Sequence, residues 1–161
     1  MKSFEQPPKQ ESAERIIEIG SLDDFDSDYF KKLEGENGWI AIGQENCDNQ
    51  RYFTVRSTDD EKLGIVGVYD TAEDKNITHT VVDPRFRGRG LTGEFKDRLM
   101  DELGLASIIL TIDVGNEASI RAAEKLSGVQ RMSDARYEQE FNKVKFVYSR
   151  EGEGAKKSTS S

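Results

Sequence analysis

The run Val81-Val82-Asp83-Pro84-Arg85-Phe86-Arg87-Gly88-Arg89-Gly90-Leu91-Thr92-Gly93 narrows the possible folds more than any other part of the chain. It reads as a strand that breaks into a glycine-rich turn and opens a helix. Pro84 ends the strand by removing a backbone donor and fixing φ. Gly88 and Gly90 reach backbone angles closed to other residues, so that main-chain N–H groups converge on one point. The helix that follows adds its own unpaired N–H groups and the positive end of its dipole. A turn of this kind, running from Arg87, Gly88, Arg89 and Gly90 into Leu91 and Thr92, is suited to cradle a phosphate, with the arginines at 85, 87 and 89 as mobile charge around it. It is not a Walker loop, which ends in Gly-Lys-Ser/Thr, and it lacks the third glycine of a dinucleotide fingerprint.

Around this turn the period of the sequence predicts the other elements. Asn76 to Val82 is the strand that feeds it, and Leu91, Phe95, Leu99 and Leu103, four apart, are the stripe of the helix that leaves it, with Gly104 as stop signal. Upstream, Ala13 to Ile19 reads as a first strand. Ser21 then caps a helix carrying Leu22, Phe25, Tyr29, Phe30 and Leu33, ended by Gly35 and Gly38. Three β runs follow at Trp39 to Ile42, Tyr52 to Arg56 and Leu63 to Tyr69, with connections too short for crossover helices, so they are expected to be antiparallel neighbours. Downstream come a buried strand at Ser107 to Val114, a helix from Asn116 to Leu126 with Asn116 as N-cap, and a closing strand between Tyr137 and Tyr148 that alternates at Val144, Phe146 and Tyr148. The expected fold is one α/β (α+β) domain over residues 13–150, a mixed and mostly antiparallel central sheet of about six to seven strands flanked by helices. Residues 1–12 and 151–161, almost without apolar side chains, are expected to be disordered.

Composition excludes several functions. At 161 residues the chain suits a single domain with a sizeable core. No apolar run approaches the roughly 18 residues of a membrane span, and Met1 to Ser12 has no apolar signal-peptide core. A formal charge of −8 argues against nucleic-acid or anionic-membrane partners, which leaves the arginines at 85–89 as a local exception fit for a phosphate-bearing ligand. The lone Cys47, among Asn, Asp and Gln, makes no internal disulfide and suits a reducing compartment such as the cytoplasm. No metal site is expected.

The loop resembles the R/Q-x-x-G-x-G/A pyrophosphate loop of the GNAT acetyltransferases, whose usual run V-D-P-x-[FY]-R-G-[KR]-G is matched throughout Val82 to Gly90. The helix after Asn116 resembles the second GNAT signature, N-x-x-[AS]-I-x-x-[YA]-E-K-L-G-F. Asn116, Ser119, Ile120, Glu124, Lys125, Leu126 and Gly128 match it if Ser127 is counted as an insertion, while Val129 stands in place of the usual Phe. The two signatures and the order of elements between them cover roughly residues 60–130, and Ser119 with Glu94 is most similar to the RimJ/RimL branch. The resemblance implies a transferase that binds acetyl-CoA as co-substrate, pyrophosphate on the loop and pantetheine arm along Val81 and Val82, with an amine attacking the thioester directly. Asn116 would anchor the arm as well as cap its helix. It implies an amine acceptor, small molecule or protein N-terminus or lysine, and a monomer or homodimer.

For proton transfer the sequence departs from the family pattern. The tyrosine that many members use as acid is replaced by Ala123. Ser119, on the first helical turn, is the candidate to protonate the departing thiolate, although its high pKa makes it a poor acid. His79, the only histidine, is the candidate base, with Asp74 and Glu94 in reserve and an ordinary strand histidine as the plainer reading. The same departures leave open a catalytically inert GNAT-like module that binds CoA for regulation. An RNA-binding Arg-Gly segment is the other reading of residues 85–90, opposed by net charge.

Overall fold

A computed structural model describes residues 16–35 and 47–150. Seven strands form one sheet in the order β1-β2-β3-β4-β5-β7-β6. They are β1 (Ile19–Asp24), β2 (Asp48–Ser57), β3 (Lys62–Asp70), β4 (Ile77–Val82), β5 (Ser107–Asp113), β6 (Val129–Arg131) and β7 (Lys143–Ser149). The described helices are α1 (Ser27–Glu34), α2 (Leu91–Leu103), α3 (Glu117–Glu124) and α4 (Ala135–Phe141). Every neighbouring pair is antiparallel except β4 and β5, whose crossover runs through α2.

Period-two alternation divides the core between the two faces of the sheet. Val66, Val68 and Val82 turn toward α2 and pack with Leu91, Phe95, Leu99 and Met100, together with Phe146 of β7. Ile65, Tyr69, Ile77 and Val81 turn the other way, onto Tyr29 and Phe30 of α1. Being covered on both sides, β3 is buried almost throughout, which is why its sequence reads as a nearly unbroken apolar run.

The parallel pair is short. β4 and β5 are in register only at Ile77↔Ile109 and Thr78↔Leu110, and beyond these residues the strands part. Ladder parity shows what the parting exposes. Asp83 N–H donates to Leu63 O at 2.8 Å, so the odd residues of β4 use their backbone groups toward β3. Asn76 O accepts from Ile109 N–H at 2.9 Å, so the even residues face β5, and at Thr80 and Val82 no strand is there to meet them.

Three expected boundaries differ from the structure. Ser21 lies inside β1, which begins at Ile19 where the reading placed a strand ending, because Ser21 to Asp24 pair with Arg56 to Phe53 of β2. The cap of α1 is instead Asp26, whose Oδ1 accepts from Tyr29 N–H at 3.1 Å. The expected closing strand is divided: Asp134 caps α4, Asn142 ends it at φ 59°, and only then does β7 start, with the alternation at Val144, Phe146 and Tyr148 as expected. The short β6 carried too few residues for a period to show. The expected strand at Trp39 to Ile42 and both termini lie outside the described residues.

Candidate active site

The glycine turn is held from beneath by a buried carboxylate. Asp83 accepts from Tyr29 Oη at 2.7 Å, from the Arg85 backbone N–H at 3.0 Å and from Arg85 Nε at 3.1 Å. Burial alone would raise this carboxyl, but the Arg85 and Tyr29 hydrogen bonds outweigh it and hold it below the ordinary range. Arg85 is therefore engaged in positioning the turn rather than free around an anion. Arg87 is similarly committed, its Nε donating to Val82 O at 3.0 Å. Phe86 is buried and anchors the single 3-10 turn between Pro84 and Phe86.

Beyond that anchor the backbone opens. Gly88 has φ 79° and Gly90 φ 74°, and a Cβ on either would meet nothing within 4 Å. Gly90 is the N-cap of α2 and supplies no side-chain hydrogen bond, so the first-turn N–H groups of α2 have no side-chain acceptor from that position. Positive φ and free space together make a concave donor surface for an anion, at a place where an L side chain would be strained.

A cavity of about 630 Å³ opens where β4 and β5 part. Thr78 to Thr80 and Leu110 to Asp113 form its two strand walls. Thr92 and Lys96 of α2 line one side, and Asn116, Ser119, Ala123 and Leu126 contribute the α3 wall. Glu34, at the end of α1, and Tyr69 of β3 also border it. Four of the residues singled out in sequence thus meet around one space: His79, Thr92, Asn116 and Ser119. Val81, Val82 and Leu91 are instead buried, in the cores on either face, and only their backbones could serve a ligand. By ladder parity the backbone groups turned away from β3 are those of Thr80 and the N–H of Val82, the Val82 carbonyl accepting from Arg87 Nε and Val81 being engaged by Ile65 of β3.

Asn116 does two things at once, as an amide allows: Oδ1 accepts from Ser119 N–H at 3.2 Å while the residue borders the cavity. His79 sits in an aromatic box, its ring edge-on to Phe30 at 6.0 Å and to Tyr52 at 6.4 Å. The box depends on Gly67 opposite, where a Cβ would lie 2.6 Å from the Tyr52 ring. Burial, helped by the Lys96 charge, lowers the His79 pKa to about 3, an environment that opposes forming an imidazolium near neutrality. The reserve bases stand elsewhere. Asp74 is paired with Lys145 Nζ at 2.7 Å, and Glu94 is exposed on α2 outside the cavity wall.

Four charged residues of the cavity were not singled out in sequence: Asp113 and Lys143, which pair with each other at 2.7 Å, and Glu34 and Lys96. Glu34 is a half-buried carboxyl that burial raises above its ordinary value, against the pull of Arg87. Lys96 is 7% exposed, and burial pulls its ammonium down to about 8. Lysine is normally a surface residue, so nothing in a run such as Phe95-Lys96-Asp97 marks it as interior; only its place one turn after Thr92 hinted at the cavity.

An anion cradle, an open strand edge and a cavity between splayed strands are the parts that a CoA thioester requires. Residues 6–129 match the family model of the acetyltransferase (GNAT) domain. The chain belongs to that family. It is 30% identical over 115 residues to an uncharacterized protein of Mycobacterium leprae, covering 65% of this chain and 32% of that protein, so it spans about a third of the length of this relative. Among solved structures, a chimera of the Vibrio cholerae spermidine N-acetyltransferase SpeG superposes with a TM-score of 0.57 at 14% identity, covering 80% of this GNAT chain and 94% of the other. The Campylobacter jejuni N-acetyltransferase PseH, in complex with acetyl coenzyme A, gives 0.50 at 12% identity over 77% of each chain. At these identities the two structures support the fold.

Proposed function

We propose that this GNAT domain transfers an acetyl group from acetyl-CoA to a primary amine. The observation that carries the reading is the edge of β4 that no strand pairs at Thr80 and Val82, standing beside the glycine turn, with Thr80 bordering the cavity and the Val82 carbonyl accepting from Arg87 Nε. It offers amide partners for a pantetheine arm in the manner of an added strand, with the pyrophosphate on the Gly88–Thr92 backbone and Asn116 on the far wall. Acetyl-CoA supplies the activated acyl group; the chain's own residues bind, orient and move protons. The cofactor side is built by α2 and α3, and the acceptor side by α1, where Glu34 lies beside the His79 and Tyr69 face. A carboxyl raised by burial is suited to take a proton from an incoming ammonium, so Glu34 replaces His79 as the preferred base. Polyamines such as the spermidine of the Vibrio relative, other small amines and protein amino groups are all acceptors of the right chemistry. The likeness of Ser119 and Glu94 to the RimJ/RimL branch favours a protein N-terminus among these.

Ala123 and the depressed His79 favour a second reading, an inert module that binds CoA and transfers nothing. A thermal-shift titration followed by an amine panel separates them. Acetyl-CoA at about a hundredfold over its dissociation constant should stabilise the fold by about 2.7 kcal/mol, and one or more amines should release free CoA thiol. Binding without release selects the inert module. No stabilisation by acetyl-CoA, CoA or a longer acyl-CoA overturns both.

A further inference from the structure

We propose that Lys96 is the general acid of this site, the group that delivers a proton to the sulfur of CoA as it leaves. The inference rests on the acetyl-transfer reading and deepens it. Lys96 projects from the middle of α2, one turn after Thr92, into the cavity that Ala123 and Ser119 border from α3. It is on the cofactor side of the split sheet, across from the α1 face where the acceptor would enter. Its side chain is buried, and among the described residues it forms no ion pair with a carboxylate. An ammonium kept in a cavity without a counterion is costly for the free protein, and a cost of that kind is offset when an anion forms beside it. In this reaction the anion that forms inside the cavity is the thiolate.

The titratable groups facing the same space are Glu34 of α1, Tyr69 of β3, His79 of β4, Asp113 of β5 and Lys143 of β7, with Asp97 adjacent on α2. Of these, Asp113 is occupied by Lys143 at 2.7 Å and Asp97 by Tyr148 Oη at 2.6 Å, burial favours the neutral forms of Tyr69 and His79, and Glu34, the acceptor-side base, forms no ion pair with Lys96 among the described residues. Lys96 is left as the cation without a carboxylate partner in the cavity whose α3 wall carries Ala123 in place of the family's usual tyrosine. Burial brings its pKa to about 8, close to that of a thiol, the matching in which a proton moves from nitrogen to sulfur with little penalty. The balance is complete within the site. The incoming ammonium loses a proton to Glu34, which passes it to water. The amine nitrogen then bonds to the acetyl carbon, the C–S pair leaves on sulfur, Lys96 gives sulfur its proton, the new amide nitrogen loses its second proton to the freed Glu34 carboxylate, and the neutral lysine is reprotonated from water.

Lys96→Met keeps length and apolar bulk while removing the proton. In the full chain it should lower kcat by about tenfold to a hundredfold, leave KM for acetyl-CoA nearly unchanged, and abolish the fall in rate above about pH 8. A readout that needs no turnover compares CoA with desulfo-CoA, in which hydrogen replaces the thiol. At pH 9 the wild type should prefer CoA by about tenfold, and Lys96→Met should show no preference while binding desulfo-CoA as the wild type does. Unaltered kcat and alkaline limb in a variant that binds desulfo-CoA normally overturn the proposal, as does an equal preference for CoA in both proteins. If the wild type acetylates no amine, the transfer reading fails, and the paired binding measurement still decides whether Lys96 holds a thiolate.

Discussion

At the scale of single residues, the buried charge of Lys96 must be visible in stability as well as in chemistry. Its pKa is near 8 in the folded protein and 10.5 in an exposed chain. Below pH 8 both states are protonated and the native state bears the full cost of an interior ammonium, about 3 kcal/mol from the size of the displacement. As pH rises from 8 to 10.5 the native lysine gives up its proton first, and the penalty fades. Lys96→Met should thus be the more stable protein at pH 7, with the gap closing toward pH 10.5. Denaturant titrations of both proteins across that range check this, and a gap independent of pH would show that Lys96 is not charged and buried. His79 obeys the same rule with a different consequence. Its low pKa places stability fully above pH 6.5, lost as pH falls toward 3, so the histidine weakens the protein in acid without titrating near neutrality.

Among the elements, the glycine turn joins two jobs that a sequence motif does not distinguish. The first half of Arg85-x-x-Gly88-x-Gly90 is structural, since Arg85 is bound to Asp83 and Asp83 to Tyr29 of α1. The second half is open, and Gly90→Val should abolish the acetyl-CoA thermal shift. Its backbone at φ 74° penalises a β-branched side chain by about 1–2 kcal/mol, and its Cβ would stand in the anion cradle without touching the protein. Wild-type acetyl-CoA affinity in a folded Gly90→Val protein would remove the loop from the cofactor site. α2 was legible from its apolar stripe and the Gly104 stop, and α3 from its cap at Asn116. α4 was not, because seven residues are too few for a helical period to outweigh the β alternation that follows.

For the whole molecule, the decisive feature is a sheet that is continuous on one side of β4 and split on the other. β3 and β4 pair from Gly64↔Val82 to Tyr69↔Ile77, while β4 and β5 hold at two positions. The amide of Val81 should therefore be protected from hydrogen exchange in the free protein, while those of Thr80 and Val82 exchange faster and slow when acetyl-CoA binds. Slowing at Val81, with no change at Thr80 and Val82, would mean that the ligand does not lie along this edge.

Sequence alone determined what depends on neighbours in the chain: the strand, turn and helix around Gly88 and Gly90, the cap at Asn116, the apolar stripes of α2 and β7, and the acidic character of the surface. Caps, periods and glycine turns are local balances of hydrogen bonding and sterics, so a few residues suffice to express them. Tertiary structure decided what depends on encounters across the fold. It sent Ser21 into a strand by pairing it with Arg56, tied Arg85 to a carboxylate held by Tyr29, and packed His79 between Phe30 and Tyr52. It also left Lys96 in the cavity opened by two strands that part after Thr78. Burial sets the charge state of each such group, and burial is a property of which distant segments meet.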